Sequence, residues 1–246
     1  MTVNVILQAR MTSSRLPGKV LMDICGAPML ARQIERIRRA RRIDRIIVAT
    51  SEDETDGPVA LLAERLGIDC FRGSLRDVLG RFCLAATTYR SDHVMRLTGD
   101  CPLIDPGLLD DLIAFHLAGG YDVSSLGIER TYPHGLDAEV MTHAALQAAG
   151  AEAEDSYDRE HVTPYLYAHP ERFRIGSMRQ AAEDGHMRWT VDYSEDLEVV
   201  RRVFAHFLDT RPDFRWTDVK AWLADAPDVQ AMNDAHRIVK AQRQAG

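Results

Sequence analysis

Through its first hundred residues the chain alternates short apolar runs with segments of helical period, and this restricts the fold more than any other feature. "VNVILQA" (3–9), "RIIVATS" (45–51), "IDCFRG" (68–73) and "HVMRLTGD" (93–100) read as buried strands. Between them lie "PMLARQIERIRRA" (28–40), "PVALLAERLG" (58–67) and "LRDVLGRFCLAATTY" (75–89). In the first of these Leu30, Ile34 and Ile37 share one face, and Pro28 suits a first turn. Strand and helix in this rhythm predict an α/β fold: a mostly parallel, Rossmann-like sheet with helices on both faces. Ligands in such sheets bind beyond the carboxyl ends of the strands.

The second half is less regular. "DAEVMTHAALQAA" (137–149) reads as a strand running into a helix, and residues 156–167 as one helix. Residues 188–208 read as a strand, a turn at Asp192 and a helix capped by Ser194, with Glu195 and Asp196 in its first turn. No repeat, low-complexity tract or linker interrupts the 246 residues. A single domain over 1–246 is the simplest reading, with a nucleotide-binding half (1–120), an acceptor half (121–208) and a helical tail (209–246).

Net charge is −7, so the chain as a whole does not attract nucleic acid or anionic membranes, and any anion must be held locally. The four cysteines show no C-x-x-C spacing, which argues against a disulfide framework or a structural zinc site. No leader-like segment and no apolar run near 18 residues is present, so the expectation is a soluble, cytoplasmic protein. The arginine-rich helix at 32–45 has a regular apolar face and reads as a solvated surface.

Against that acidic background, "ARMTSSRLPGK" (9–19) carries Arg10, Arg15 and Lys19 and no acid. It is neither a Walker loop nor a G-x-G-x-x-G fingerprint. Its backbone N–H groups and three cations could line an anion site at the end of the first strand. Asp100 ends another strand and faces the same rim. It could ligate Mg²⁺, which takes one or two carboxylates and fills its other positions with phosphate oxygens and water. A helix cap is the alternative, although Asp105 is better placed to cap the helix from Pro106 to Leu117. Asp192 offers a second carboxylate before a helix.

Taken together, "QARMTSSRLPGKVL", "RLTGDCPLIDP" and "TVDYSEDLEVV" resemble the cytidylyltransferase family of CMP-Kdo and CMP-sialic acid synthetases. The nearest likeness is to its spore-coat polysaccharide biosynthesis branch, and "DVLGRF" (77–82), "YPHGLDAEVM" (132–141) and "REHVTPYLYAHPERFR" (159–174) fit that branch. The resemblance covers residues 3 to about 204. It implies a nucleotide-diphospho-sugar transferase-like fold and Mg²⁺-dependent transfer of CMP from CTP to an acidic sugar, with pyrophosphate released. It places Arg10, Arg15 and Lys19 on the triphosphate, with Leu7, Ala9, Arg81 and Thr98 near the nucleotide, and Asp100 and Asp192 on the metal. Arg15, Lys19 and Asp100 would then carry catalysis, and a homodimer would be the assembly.

A carboxylated sugar needs a cation and its hydroxyls need acceptors, which nominates His134, Glu139, Arg159 and His161 for the acceptor site. Each of these also has a structural reading as a cap or surface group. Where CMP-Kdo synthetases carry Gln-Gly-Asp-Glu-Pro, this chain has Thr98-Gly99-Asp100-Cys101-Pro102, so the sugar is not fixed by the resemblance. Two other readings stay open: a glycosyltransferase that consumes a nucleotide sugar, though no D-x-D follows a strand, and a non-catalytic nucleotide-binding module.

Overall fold

A computed structural model describes residues 1–236. Seven strands form one sheet in the order β5-β4-β1-β6-β8-β7-β9: β1 (Val3–Gln8), β4 (Arg45–Ser51), β5 (Asp69–Gly73), β6 (His93–Thr98), β7 (Val123–Ser125), β8 (Glu139–Thr142) and β9 (Ile175–Ser177). Only β8 runs against the others, antiparallel to both β6 and β7. A two-stranded hairpin, β2 (Asp23–Ile24) with β3 (Ala27–Pro28), stands apart.

Both faces of the sheet are buried, which is why the middle of β1, Val5 to Leu7, is an unbroken apolar run rather than alternating. Val3, Val5 and Leu7 join one core cluster, and Ile6 joins the other. The first cluster is completed by α1 (Met29–Ile37), α2 (Gly57–Arg65), α4 (Pro106–Gly119), α8 (Ser194–Phe207) and α9 (Trp216–Asp225). The second is completed by α3 (Val78–Thr88), α5 (His143–Glu152) and α7 (Pro164–Ala168). The chain steps outward from β1 to β4 and β5, then returns to β6 on the other side of β1. That reversal opens a crevice beyond the ends of β1 and β6, where open α/β sheets hold their ligands.

The expected strands and helices of the first half form, and the departures have local causes. Residues 188–191 contribute only an isolated bridge, Arg188 to His134, rather than a strand. Their backbone is spent on the rim of the crevice instead, where Val191 N donates to Asp100 O at 2.8 Å. The helix expected over 156–167 is two, α6 (Ser156–His161) and α7, because Val162 takes φ 75° and Pro164 starts afresh. Ser194 is not the cap of α8. Asp196 fills that role from inside the first turn, its carboxylate accepting the N–H of Asp192 and of Tyr193 at 2.9 and 3.0 Å. The expected tail contains α9 and α10 (Pro227–Ala231), and its remainder, 237–246, lies outside the described residues. Among the described residues no helix is long and apolar enough to cross a membrane.

Candidate active site

The loop after β1 is closed on itself. Gly18, at φ 71°, donates its N–H back to Met11 O at 2.9 Å, and a 3-10 turn begins at Lys19. The loop is also anchored to the end of β4. Asp56, fully buried, accepts Met11 N at 2.6 Å through one oxygen and Ser51 N at 3.1 Å through the other. This anchor delivers Lys19 into the crevice.

Lys19 is 8% exposed, and its ammonium stands between the two expected carboxylates. Nζ donates to Asp192 Oδ1 at 3.1 Å, to Val191 O at 2.7 Å and to Asp100 Oδ2 at 3.3 Å. Arg15 meets the same Asp192 oxygen at 2.5 Å, and Arg188 takes Oδ2 at 3.1 Å. Burial alone would raise the Asp192 carboxyl; the Lys19 and Arg15 charges outweigh it and hold the group well below the ordinary carboxylate range. Arg188 is tied in turn to Asp196 at 2.7 Å. The cluster thus holds three acids and three cations. Asp100 is the most open of its acids, one oxygen on Lys19 and the other accepting Thr98 Oγ1 at 2.6 Å.

Beside the cluster a cavity of about 640 Å³ reaches toward β8. Arg15, Thr98, Asp100 and Asp192 line it, together with His134, Glu139 and His161. The chain brings Arg15, Lys19, Thr98, Asp100 and Asp192 together from three separate segments. Arg10 stands at the rim, 3.5 Å from Glu160. Ala9 sits just past β1, and the Leu7 side chain is in the core.

Arg81 is 1% exposed. Its Nη1 donates to Ser74 O at 2.7 Å, while Nε and Nη2 are buried without a hydrogen-bond partner among the described residues. Burial, with Arg10 nearby, depresses its pKa to about 10. Arg159 departs from expectation: it does not line the cavity. It is spent on Asp77, at 2.5 and 2.8 Å, and on the carbonyls of Gly150 and Ala153, strapping α3 to α5 and α6. Glu139 lines the cavity, yet both its oxygens are engaged, Oε1 by Thr163 and Tyr167 and Oε2 by Arg96.

Sequence reasoning missed Arg96, Arg130, Asp137 and Arg188. Arg130 pairs with Asp137 at 2.6 Å on the cavity wall. A charge inside the buried strand "HVMRLT" was a usable signal for Arg96. For Arg130 and Arg188 no local signal exists, since their partners come from other turns. Among the described residues no three His, Cys, Asp or Glu side chains gather as a ready metal site.

The chain is similar to known proteins over most of its length. The family model described as cytidylyltransferase matches residues 4–209. The spore coat polysaccharide biosynthesis protein SpsF of Bacillus subtilis is 31% identical over 237 residues, 94% of this chain and 97% of that protein. A 3-deoxy-manno-octulosonate cytidylyltransferase of Anaeromyxobacter sp. is 32% identical over 182 residues, 67% of this chain and 72% of that one. A solved cytidylyltransferase from Leptospira borgpetersenii superposes with a TM-score of 0.89 at 31% identity, covering 94% and 97% of the two chains.

Proposed function

The chain belongs to the cytidylyltransferase family, and on that premise we propose that it moves CMP from CTP onto a hydroxyl of an acidic sugar, with Mg²⁺, and releases pyrophosphate. The observation that carries this reading is Lys19, held between Asp100 and Asp192 beneath a loop bearing Arg10 and Arg15. A triphosphate carries about four negative charges, and this loop and Arg81 supply the cations to receive it. The acidic-sugar acceptor is supported by the relative named for 3-deoxy-manno-octulosonate and by the arginines and histidines of the adjoining cavity. The division into a nucleotide half and an acceptor half is part of the same proposal.

The donor set suits a hard cation: two carboxylates converge on one point and already hold a positive charge there, the Lys19 ammonium. Asp100 and Asp192 would hold Mg²⁺, which when bound supplies charge to phosphate oxygens and lowers the pKa of an attacking hydroxyl. The protein's own part is positioning and electrostatics. Arg15 leaves Asp192 for the incoming phosphates, and Lys19 follows the negative charge as it develops on the leaving pyrophosphate. Thr98 fixes Asp100 by its 2.6 Å hydrogen bond, so the carboxylate needs no reorganisation. Val191 and Thr190, bonded to Asp100 O, hold the two acids at a constant separation.

The test is metal-dependent pyrophosphate release from each of the four nucleoside triphosphates, against a panel of octulosonic and nonulosonic acids. Release with CTP and an acid supports the proposal. Absence of release together with absence of CTP binding in calorimetry would remove it.

A further inference from the structure

Arg96 is a charged residue in the middle of the sheet. It lies on β6 with β1 on one side and β8 on the other, directly opposite Glu139 in the antiparallel register. Arg96 and Thr98 alternate toward the same side of β6, and together with Asp100 in the turn beyond it they line the cavity. Glu139 grips Arg96 by one nitrogen only, Nη1, at 2.5 Å. Nε is buried with no partner, and no hydrogen bond engages Nη2 among the described residues. These two N–H groups form the side-on edge of the guanidinium, which matches the two oxygens of a carboxylate.

Glu139 itself is largely committed, with a donor on each of its oxygens. Thr163 Oγ1 and Tyr167 OH occupy Oε1 at 2.9 and 2.6 Å, and Arg96 occupies Oε2. A pair kept only to hold the sheet together has no reason to leave its paired-donor edge unmet inside a cavity. Arg130, by contrast, is already matched to Asp137 on the wall.

We propose that Arg96 reads the acceptor's carboxylate through its Nε–Nη2 edge, and that Glu139 is a positioning residue that fixes the guanidinium from behind. This rests on the acidic-acceptor reading above and assigns it a residue. It replaces Glu139 and Arg159 as direct acceptor ligands. The acceptor carboxylate then lies on the same strand face as Asp100, so binding the acid and placing its hydroxyl near the transferring phosphorus are one act.

The test compares 3-deoxy-octulosonic acid and a nonulosonic acid, each as free acid and as C1 amide, in pyrophosphate release with CTP and Mg²⁺. The native enzyme should favour acid over amide by at least ~100-fold in kcat/KM, as a site built for a charged partner does. In Arg96→Gln that ratio should collapse to less than ~5-fold, with KM for CTP within about twofold of the native value. Arg96→Lys, which keeps the charge and loses the edge, should fall between. A ratio left intact in folded Arg96→Gln overturns the inference. If Arg96→Gln fails to fold, Glu139→Gln serves: a rise of ~10-fold in acceptor KM with CTP affinity unchanged supports the role, and an unchanged acceptor KM overturns it. Failure of the native enzyme with every acid sinks the acidic-acceptor reading and this assignment together, and calorimetry with CTP shows whether the nucleotide site survives them.

Discussion

Replacing Lys19 by Met removes the one cation that, among the described residues, touches both Asp100 and Asp192. The cluster then falls from balanced charge to one uncompensated negative charge at the point where the two carboxylates meet. A divalent ion about 4 Å from such a charge gains on the order of 8 kcal/mol at an effective dielectric constant near 20. Most of that is lost in stripping water from the ion, and about 3 kcal/mol kept would be roughly a 100-fold gain in affinity. Lys19→Met should therefore bind Mn²⁺ without nucleotide at least ~100-fold more tightly than the native protein, read by electron paramagnetic resonance titration. The same variant should lose roughly 10²–10³ in turnover, because a cation is missing where pyrophosphate charge develops. Its fold should survive, since Arg15 and Arg188 still neutralise Asp192. Equal Mn²⁺ affinity in the two proteins would refute the reasoning: either Lys19 does not reserve these carboxylates, or they are not the metal's ligands.

Three further expectations follow from particular side chains. Arg81→Met removes two buried, unpartnered donors, so the ligand-free protein should gain about 1 kcal/mol in denaturant unfolding while CTP affinity in calorimetry falls at least ~10-fold; a loss of both, or of neither, contradicts a nucleotide role. His116 is fully buried between His93 and Ser124, each 3.0 Å away, and burial depresses its pKa to about 4. The unfolded chain therefore takes up a proton first, and stability should be complete above pH 6.5 and decline by about 3 kcal/mol as pH falls toward 4; His116→Gln should flatten that slope, and an unchanged slope would exclude His116 as its source. Asp196→Asn weakens the tie to Arg188 and the cap of α8 at once, and should cost about 3 kcal/mol in thermal or denaturant unfolding.

What the sequence disclosed and what it hid have physical causes. Strands β1, β4 and β6 were legible because strands buried on both faces carry continuous or nearly continuous apolar runs, and the helices between them because each buries one stripe. The three-residue strands β7 and β9 carry too few residues to show any period, and α6 and α7 merge in sequence because nothing in it announces the positive φ of Val162. Lys19, Asp100 and Asp192, which the structure gathers into one cluster, were legible because each follows a recognisable strand end or turn. Arg159 was misplaced because an arginine beside "EH" looks the same whether it faces a substrate or straps Asp77. Arg96 was passed over because a charge within a mostly apolar strand was read as part of the strand.

The most direct test of the central claim is pyrophosphate release from CTP with an acidic sugar and Mg²⁺, measured for the native protein and for Asp100→Asn side by side. Asparagine keeps the shape and the hydrogen bond from Thr98 while removing the charge. The account predicts release that is specific to CTP in the native protein and reduced roughly 10²-fold or more in the variant. Equal turnover by the two proteins would contradict it.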